Sequence, residues 1–329
     1  MARKAPEWII WLIYPGCNLR CRHCYASQYL GEKPLPFDKV VKVIRDASES
    51  GVEHINYTGG EPLLRKDMID ILKETIDLGM TTSLFTNATL LNESVVSELA
   101  RLEIPVYSSM DAPNKELYEG IRGIGTWEKF LNGIKLIKQH GLYLHINITV
   151  SELNWQVVGK TIRKAFDLGA NSVSIIPSIS AGRAKETKVY VKPEHFLEAL
   201  KQAEESASEL GVFIDVWCTP FTASLPWAKH LRYGNCRDWA VMDITPSGKV
   251  VLCDVINIVV ADVLKHGVKG AWIKLRENPF YAKTLIIPSQ CSRCNYSRIC
   301  RGGCYARTYN LYKTFDKPDP LCPLMKNNV

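Results

Sequence analysis

The chain has 329 residues, 46% of them hydrophobic and 23% charged, with a formal net charge of +7. That length admits two domains or one barrel with an appendage, and the composition excludes disordered, fibrous and membrane-spanning classes. No dense Lys/Arg run accompanies the positive balance, so neither a nucleic-acid nor a membrane partner is expected.

The first element is the run Trp8-Ile9-Ile10-Trp11-Leu12-Ile13-Tyr14, after Arg3 and Lys4. It is short for a signal core, carries two Trp and lacks a small-residue cleavage site, so it reads as a buried strand of a cytoplasmic protein. Further strands are expected at 53–58, 81–86, 104–110, 143–150 and 171–176. Amphipathic stretches lie between them: Val40, Val41, Val43, Ile44 and Ala47 share one face, as do Met68, Ile69, Ile71, Leu72 and Ile76. Gly51, Gly79, Gly141 and Gly169 fit helix C-caps. Six strand–helix units predict an α/β fold, a parallel sheet curled into a partial (β/α)6 barrel. A helix over about 193–210 and a short strand over 212–217 follow. From Cys218 onward come short strands, turns and eight of the eleven cysteines. The expected division is therefore 1–217 for the barrel and 218–329 for a small cysteine-rich domain.

Without an export signal, eleven cysteines point to metal ligation in a reducing compartment rather than to disulfides. Directly after the first strand stand Cys17, Cys21 and Cys24, spaced C-x3-C-x2-C. Thiolates are preferred ligands of iron–sulfur clusters and zinc. Three protein ligands leave a coordination position for water or substrate. Barrel chemistry sits on loops at the C-terminal strand ends, and those loops carry Thr58-Gly59-Gly60-Glu61-Pro62, Thr86-Asn87, Ser109 and Asp111. The fifth strand bears Asn147 and Thr149, and Gly182-Arg183 follow the sixth.

The cysteine triplet together with Gly59-Gly60-Glu61-Pro62 resembles the radical S-adenosylmethionine (radical SAM) superfamily. The resemblance implies a [4Fe–4S] cluster on Cys17, Cys21 and Cys24 whose fourth iron takes the amino and carboxylate groups of S-adenosylmethionine. Paired glycines let backbone approach a ligand closely, so Gly59 and Gly60 suit the methionyl amino group, with Glu61 an acceptor for it and Pro62 completing the motif. Tyr25 and His23 are expected to pack on adenine or against the barrel. Ser109 and Asp111, in Ser-Met-Asp-Ala-Pro, resemble the family's Ser-x-Asp-Gly-Pro stretch, although Ala112 replaces Gly. Thr86, Asn87 and Asn147 are expected near the ribose or carboxylate, and Arg183 is expected to pair with a carboxylate or to lie on the surface.

The later cysteines read Cys236-x11-Gly248-x4-Cys253, then Cys291-x2-Cys294-x5-Cys300-x3-Cys304-x17-Cys322. This resembles the SPASM extension of radical SAM enzymes, which holds two auxiliary clusters. By that pattern Cys291, Cys294, Cys300 and Cys322 take the second cluster, and Cys236, Cys253 and Cys304 the first. Its fourth ligand is either Cys218 or an open site that binds substrate. Asp254 matches an Asp that serves as proton acceptor in the sulfatase-maturating branch; a turn-capping Asp is the alternative.

The resemblance implies an oxidoreductase or maturase. A low-potential flavodoxin or ferredoxin delivers one electron, S-adenosylmethionine is cleaved, and the 5′-deoxyadenosyl radical abstracts hydrogen from a peptide or protein. Since the first strand begins near residue 8, no N-terminal leader-recognition domain is expected. That leaves open a small-molecule enzyme of tetrapyrrole side chains, as in haem or haem d1 synthesis. From another class, Cys291, Cys294, Cys300 and Cys304 also suit a non-catalytic zinc-ribbon adaptor.

Overall fold

The computed structural model describes residues 4–325. β1 (Trp8–Tyr14), β2 (His54–Gly59), β3 (Thr81–Thr86), β4 (Val106–Ser109), β5 (Leu144–Val150) and β6 (Ser172–Pro177) lie side by side in sequence order. All five junctions between them are parallel. Each strand is followed by a helix that returns the chain: Phe37–Glu49, Met68–Asp77, Glu93–Arg101, Trp127–Gln139, Val158–Asp167 and Pro193–Leu210. The expected glycines end four of these helices with φ between +68° and +87°, where L side chains are strained. β4 is shorter than expected, and Pro105, with no N–H to donate to a ladder, immediately precedes it.

Alternation along β1 divides two surfaces. Ile9, Trp11 and Ile13 join Val40, Val43 and Ile44 in the core beneath the helices, while Leu12 packs with Ala26 and Tyr29 on the opposite face. On that opposite face, rings form a row. Phe85 stacks on Tyr107 at 4.6 Å, Tyr107 on His145 at 4.6 Å, and His145 on Trp217 at 5.4 Å. His145 Nδ1 and Nε2 lie 2.6 Å from the hydroxyls of Ser172 and Ser174. Burial lowers its pKa from 6.5 to about 4. The folded chain thus disfavours the imidazolium, and stability present above pH 6.5 is lost as pH falls towards 4. At 1.36 kcal/mol per unit this amounts to about 3 kcal/mol. A His145→Phe variant should lack that share of the acid loss in thermal unfolding between pH 6.5 and 4; an unchanged pH profile would refute the assignment.

The sheet does not stop where the sequence pattern changes. β7 (Ile214–Val216) and β8 (Leu231–Tyr233) extend it in parallel beyond β6. β9 (Val241–Ile244) joins the other edge, parallel to β1 with Trp8 opposite Val241. β10 (Lys249–Cys253) and β11 (Ile256–Asp262) complete it antiparallel, giving eleven strands. The cysteine-rich segment therefore shares the barrel's sheet, and β9 and β10 deliver Cys253 to the β1 side. No helix among the described residues is long and apolar enough to cross a membrane.

Candidate active site

Cys17, Cys21 and Cys24 occupy the loop after β1, and three neighbouring loops fix its path. The loop after β2 passes so close that a Cβ on Gly60 would lie 2.1 Å from the Gly16 carbonyl oxygen. Gly59, at φ +130°, would place its Cβ 2.5 Å from the Tyr14 oxygen. Gly60 N–H donates to Tyr14 O and Glu61 N–H to Gly16 O, both at 2.8 Å. The glycine pair is thus required by the cysteine loop itself, where the sequence reading tied it to a ligand. Gly60→Ala should lower stability by about 3 kcal/mol in thermal unfolding, because the obstructing atom is backbone; a change below about 1 kcal/mol would contradict the packing. From the loop after β6, Arg183 N–H donates to Cys24 O and its guanidinium to Cys21 O, each at 2.9 Å. Arg183 clamps the loop, which differs from both expected placements.

Glu61 is fully enclosed. Its Oε1 accepts from Leu63 N–H at 3.1 Å and Thr86 Oγ1 at 2.7 Å, and its Oε2 from Asn87 N–H at 2.8 Å. Burial raises its pKa to about 7 against those hydrogen bonds. Glu61 and Thr86 are therefore a scaffold first, and Pro62 is buried at the start of the following short turn. Asn87 reaches the cysteine loop as expected of a site residue: Nδ2 donates to Asn18 Oδ1 at 2.9 Å and lies 3.9 Å from Cys17 Sγ.

Asp111 differs most from its expectation. It is wholly buried, with Oδ2 accepting from Arg122 Nε at 2.6 Å and Oδ1 from Thr149 N–H at 2.8 Å. His23 Nε2 stands 3.4 Å from Oδ2, and burial lowers its pKa to about 4. In this arrangement His23 packs inward rather than over an open adenine site. Arg122 in turn places Nη1 3.9 Å from Cys21 Sγ. Burial pushes the Cys21 thiol up to about 12, opposed chiefly by the Arg122 charge. A buried thiol of this kind gains most from a bound cation, since ligation requires the thiolate. Arg122 was not singled out in the sequence; an Arg eleven residues past an Asp carries no periodic signal. Ser109 and Asn147 lie on the ring-bearing face, with Asn147 Nδ2 donating to Ser174 Oγ at 2.8 Å.

Tyr25 crosses from the cysteine loop to the β10–β11 turn, where its hydroxyl donates to Asp254 Oδ2 at 2.5 Å. Tyr29 OH donates to Asp254 O at 2.7 Å. Asp254 N–H donates to Asp243 Oδ2 at 2.8 Å, while Asp243 Oδ1 is buried without a partner among the described residues. Burial raises the pKa of both carboxyls. Asp243 was missed because an Asp at a strand centre reads as noise; β9 alternation places it towards the site.

The remaining thiols fall into two sets. Cys218 lies beside Cys304 and within electrostatic reach of Cys236 and Cys253. Cys291, Cys294, Cys300 and Cys322 line one cavity. Cys218 has φ +57°, a conformation non-glycine residues avoid, and its carbonyl accepts from Arg307 at 2.8 Å. Arg307 also pairs with buried Asp319 at 2.6 Å, and Asp319 accepts from Cys304 N–H at 2.8 Å. One ion pair thereby braces both sets.

Do these thiols fit iron–sulfur clusters? A tetrahedral zinc at 2.3 Å holds its sulfurs only about 3.8 Å apart. Among the described residues, the group of three or more ligand atoms at single-ion spacing is Asp243, Cys253 and Asp254, and no all-thiol set qualifies. Cys304, needed for a ribbon with Cys291, Cys294 and Cys300, belongs to the other set. The wider spacing suits four thiolates at the corners of a cluster.

Residues 11–165 match the radical SAM superfamily. The AdoMet-dependent heme synthase of Methanosarcina barkeri is 27% identical over 345 residues, covering 97% of this chain and 97% of the relative. The PqqA peptide cyclase of Granulibacter bethesdensis is 26% identical over 322 residues, covering 94% and 84%. The solved structure of Streptococcus suis SuiB bound to precursor peptide SuiA superposes with a TM-score of 0.80 at 18% identity, covering 97% of this chain and 76% of that one. The fold extends over both cysteine-bearing segments.

Proposed function

This chain belongs to the radical SAM superfamily, an enzyme with SPASM-type homologues, and we propose that it abstracts hydrogen from a peptide or protein and completes an oxidation, cross-link or maturation. Cys17, Cys21 and Cys24 would hold a [4Fe–4S] cluster, which together with S-adenosylmethionine would supply the radical cleavage. Residues 1–217 house that site, and residues 218–329 hold two auxiliary clusters.

The chain's own contributions are positional. Arg122 and Asn87 lie against the sulfurs of Cys21 and Cys17, Arg183 clamps the loop, and Tyr25 orients Asp254 Oδ2 to take the proton released from substrate. The observation that supports the proposal is that Cys291, Cys294, Cys300 and Cys322 line one cavity while Cys218 neighbours Cys304, Cys236 and Cys253, apart from the three thiols after β1. A peptide substrate suits the uncharged hydrogen-bonding and ring-bearing face of β3 to β6. The second reading, a tetrapyrrole side chain, draws on the heme synthase likeness, which spans 97% of both chains. Eleven unpaired thiols suit a reducing cytoplasm, where flavodoxin or ferredoxin would serve as electron donor.

Anaerobically reconstituted protein should carry about twelve iron and no zinc per chain, three clusters of four. It should release 5′-deoxyadenosine with dithionite, and Cys17→Ala should abolish that release. Retained cleavage in Cys17→Ala, or zinc in place of iron, would overturn the assignment. Candidate peptides and iron-porphyrins, compared by mass spectrometry, separate the two substrate readings. Asp254→Asn should reduce product more than it reduces 5′-deoxyadenosine; equal losses would remove its role as proton acceptor.

A further inference from the structure

We infer that the surface around Cys291, Cys294, Cys300 and Cys322 is the docking face for an acidic electron-carrier protein, an inference that rests on the cluster-bearing reading above. Charge is distributed unevenly along this chain. Residues 274–325 hold nine Lys/Arg against three Asp/Glu, six of the seven excess positive charges of the whole protein. Two of those cations are committed internally: Arg307 to Asp319, and Arg301 to Asp238 at 2.7 Å. Arg293 and Arg298 are exposed and make no ion pair among the described residues.

Both stand on the segment that carries the cavity's cysteines. Arg293 stands between Cys291 and Cys294, and Arg298 between Cys294 and Cys300. Apolar side chains are exposed on the same segments: Leu285, Ile286 and Ile287 just before Cys291, Ile299 beside Cys300, and Leu324 two residues past Cys322. Leu324 also lines the cavity. Exposed apolar and cationic side chains thus share the segments that carry the four cysteines, a composition that marks an interaction surface and selects an anionic partner by steering it on approach.

Cys294 and Cys322 are partly exposed, while Cys291 and Cys300 are buried behind them. The partner that gains from approach to this cavity is one that exchanges electrons. A single electron passes: the thiolate-held centre is oxidised, the oxidised carrier is reduced, and no bond or proton changes hands.

The test uses the reconstituted full chain and an oxidised plant-type [2Fe–2S] ferredoxin, an acidic carrier, with association read by calorimetry and carrier reduction by stopped flow. Between 50 and 300 mM NaCl the unmodified protein should lose at least tenfold in affinity as the charges are screened. Arg293→Glu/Arg298→Glu should lose a further tenfold at low salt while keeping its iron and its dithionite-driven cleavage of S-adenosylmethionine. Ile286→Ser and Lys283→Glu, outside the cysteine segments, should each weaken binding severalfold if the paired variant fails to load iron. Salt-insensitive binding, or binding unchanged in all the variants, overturns the inference, as does preferential binding of an RNA oligonucleotide in the ferredoxin's place. Failure of dithionite-driven cleavage in the unmodified chain would strike the enzymatic reading instead, because dithionite needs no docking face.

Discussion

Asp111→Ala is expected to destabilise the apoprotein by about 3–5 kcal/mol, the usual cost of leaving one member of a buried ion pair uncompensated. Arg122 would keep its charge, since neither partner is more than a few per cent exposed. It would lose bonds of 2.6 Å from Nε and Nη2 to Oδ2. The Thr149 N–H, 2.8 Å from Oδ1, would be orphaned too. At roughly 2–4 °C per kcal/mol for a chain of this size, the melting temperature should drop by about 10 °C. The double variant Asp111→Ala/Arg122→Leu should regain much of that, because the buried charge goes with its partner. A single variant within about 1 kcal/mol of the parent would mean that the pair is hydrated and does not support the cysteine loop.

Cys218→Gly should separate metal content from chain stability. At φ +57° a residue with a Cβ is strained, and glycine relieves about 1 kcal/mol. The apoprotein should therefore melt slightly higher, while reconstituted iron drops from about twelve to about eight per chain as one four-iron cluster is lost. Full iron retention in this variant would show that Cys218 is not a cluster ligand and leave the open site as the alternative. A lower apoprotein melting temperature would show that the Arg307 bond to the Cys218 carbonyl does not survive the exchange.

The barrel was legible because its signals are local and repeated. Each of the first six strands is a short β-branched run followed by an amphipathic helix, and glycines end four of those helices at positive φ. The cysteine spacing gave the three thiols after β1 for the same reason. What stayed hidden was long-range. Nothing near Glu61 announces that Leu63, Thr86 and Asn87 will surround it, and nothing near Asp111 names Arg122 as its counter-ion. Polar residues at strand ends identified where the site lies, yet several of them hold its frame rather than face a ligand. Cys218 was undecidable in the sequence because seventeen intervening residues separate it from Cys236. The fold closes that distance by bringing Pro220–Ser224 against the helix Ser297–Cys300, whose Ile299 and Cys300 carbonyls also accept from Asn235 Nδ2. The sheet's continuation into β9 was equally invisible, since a four-residue strand pairing with residue 8 leaves no periodicity to read.

That last pairing governs how the chain is made. β1 is Trp-Ile-Ile-Trp-Leu-Ile-Tyr, and its β9 side stays bare until Val241 to Ile244 leave the ribosome. At about 5–20 residues per second of synthesis, this leaves an uncharged, proline-free, β-prone heptad with an open edge for roughly ten to forty-five seconds. Such a segment invites pairing with another nascent chain. A translation product stopped near residue 217 would keep the bare edge permanently and should accumulate as insoluble material, whatever the state of its first three cysteines.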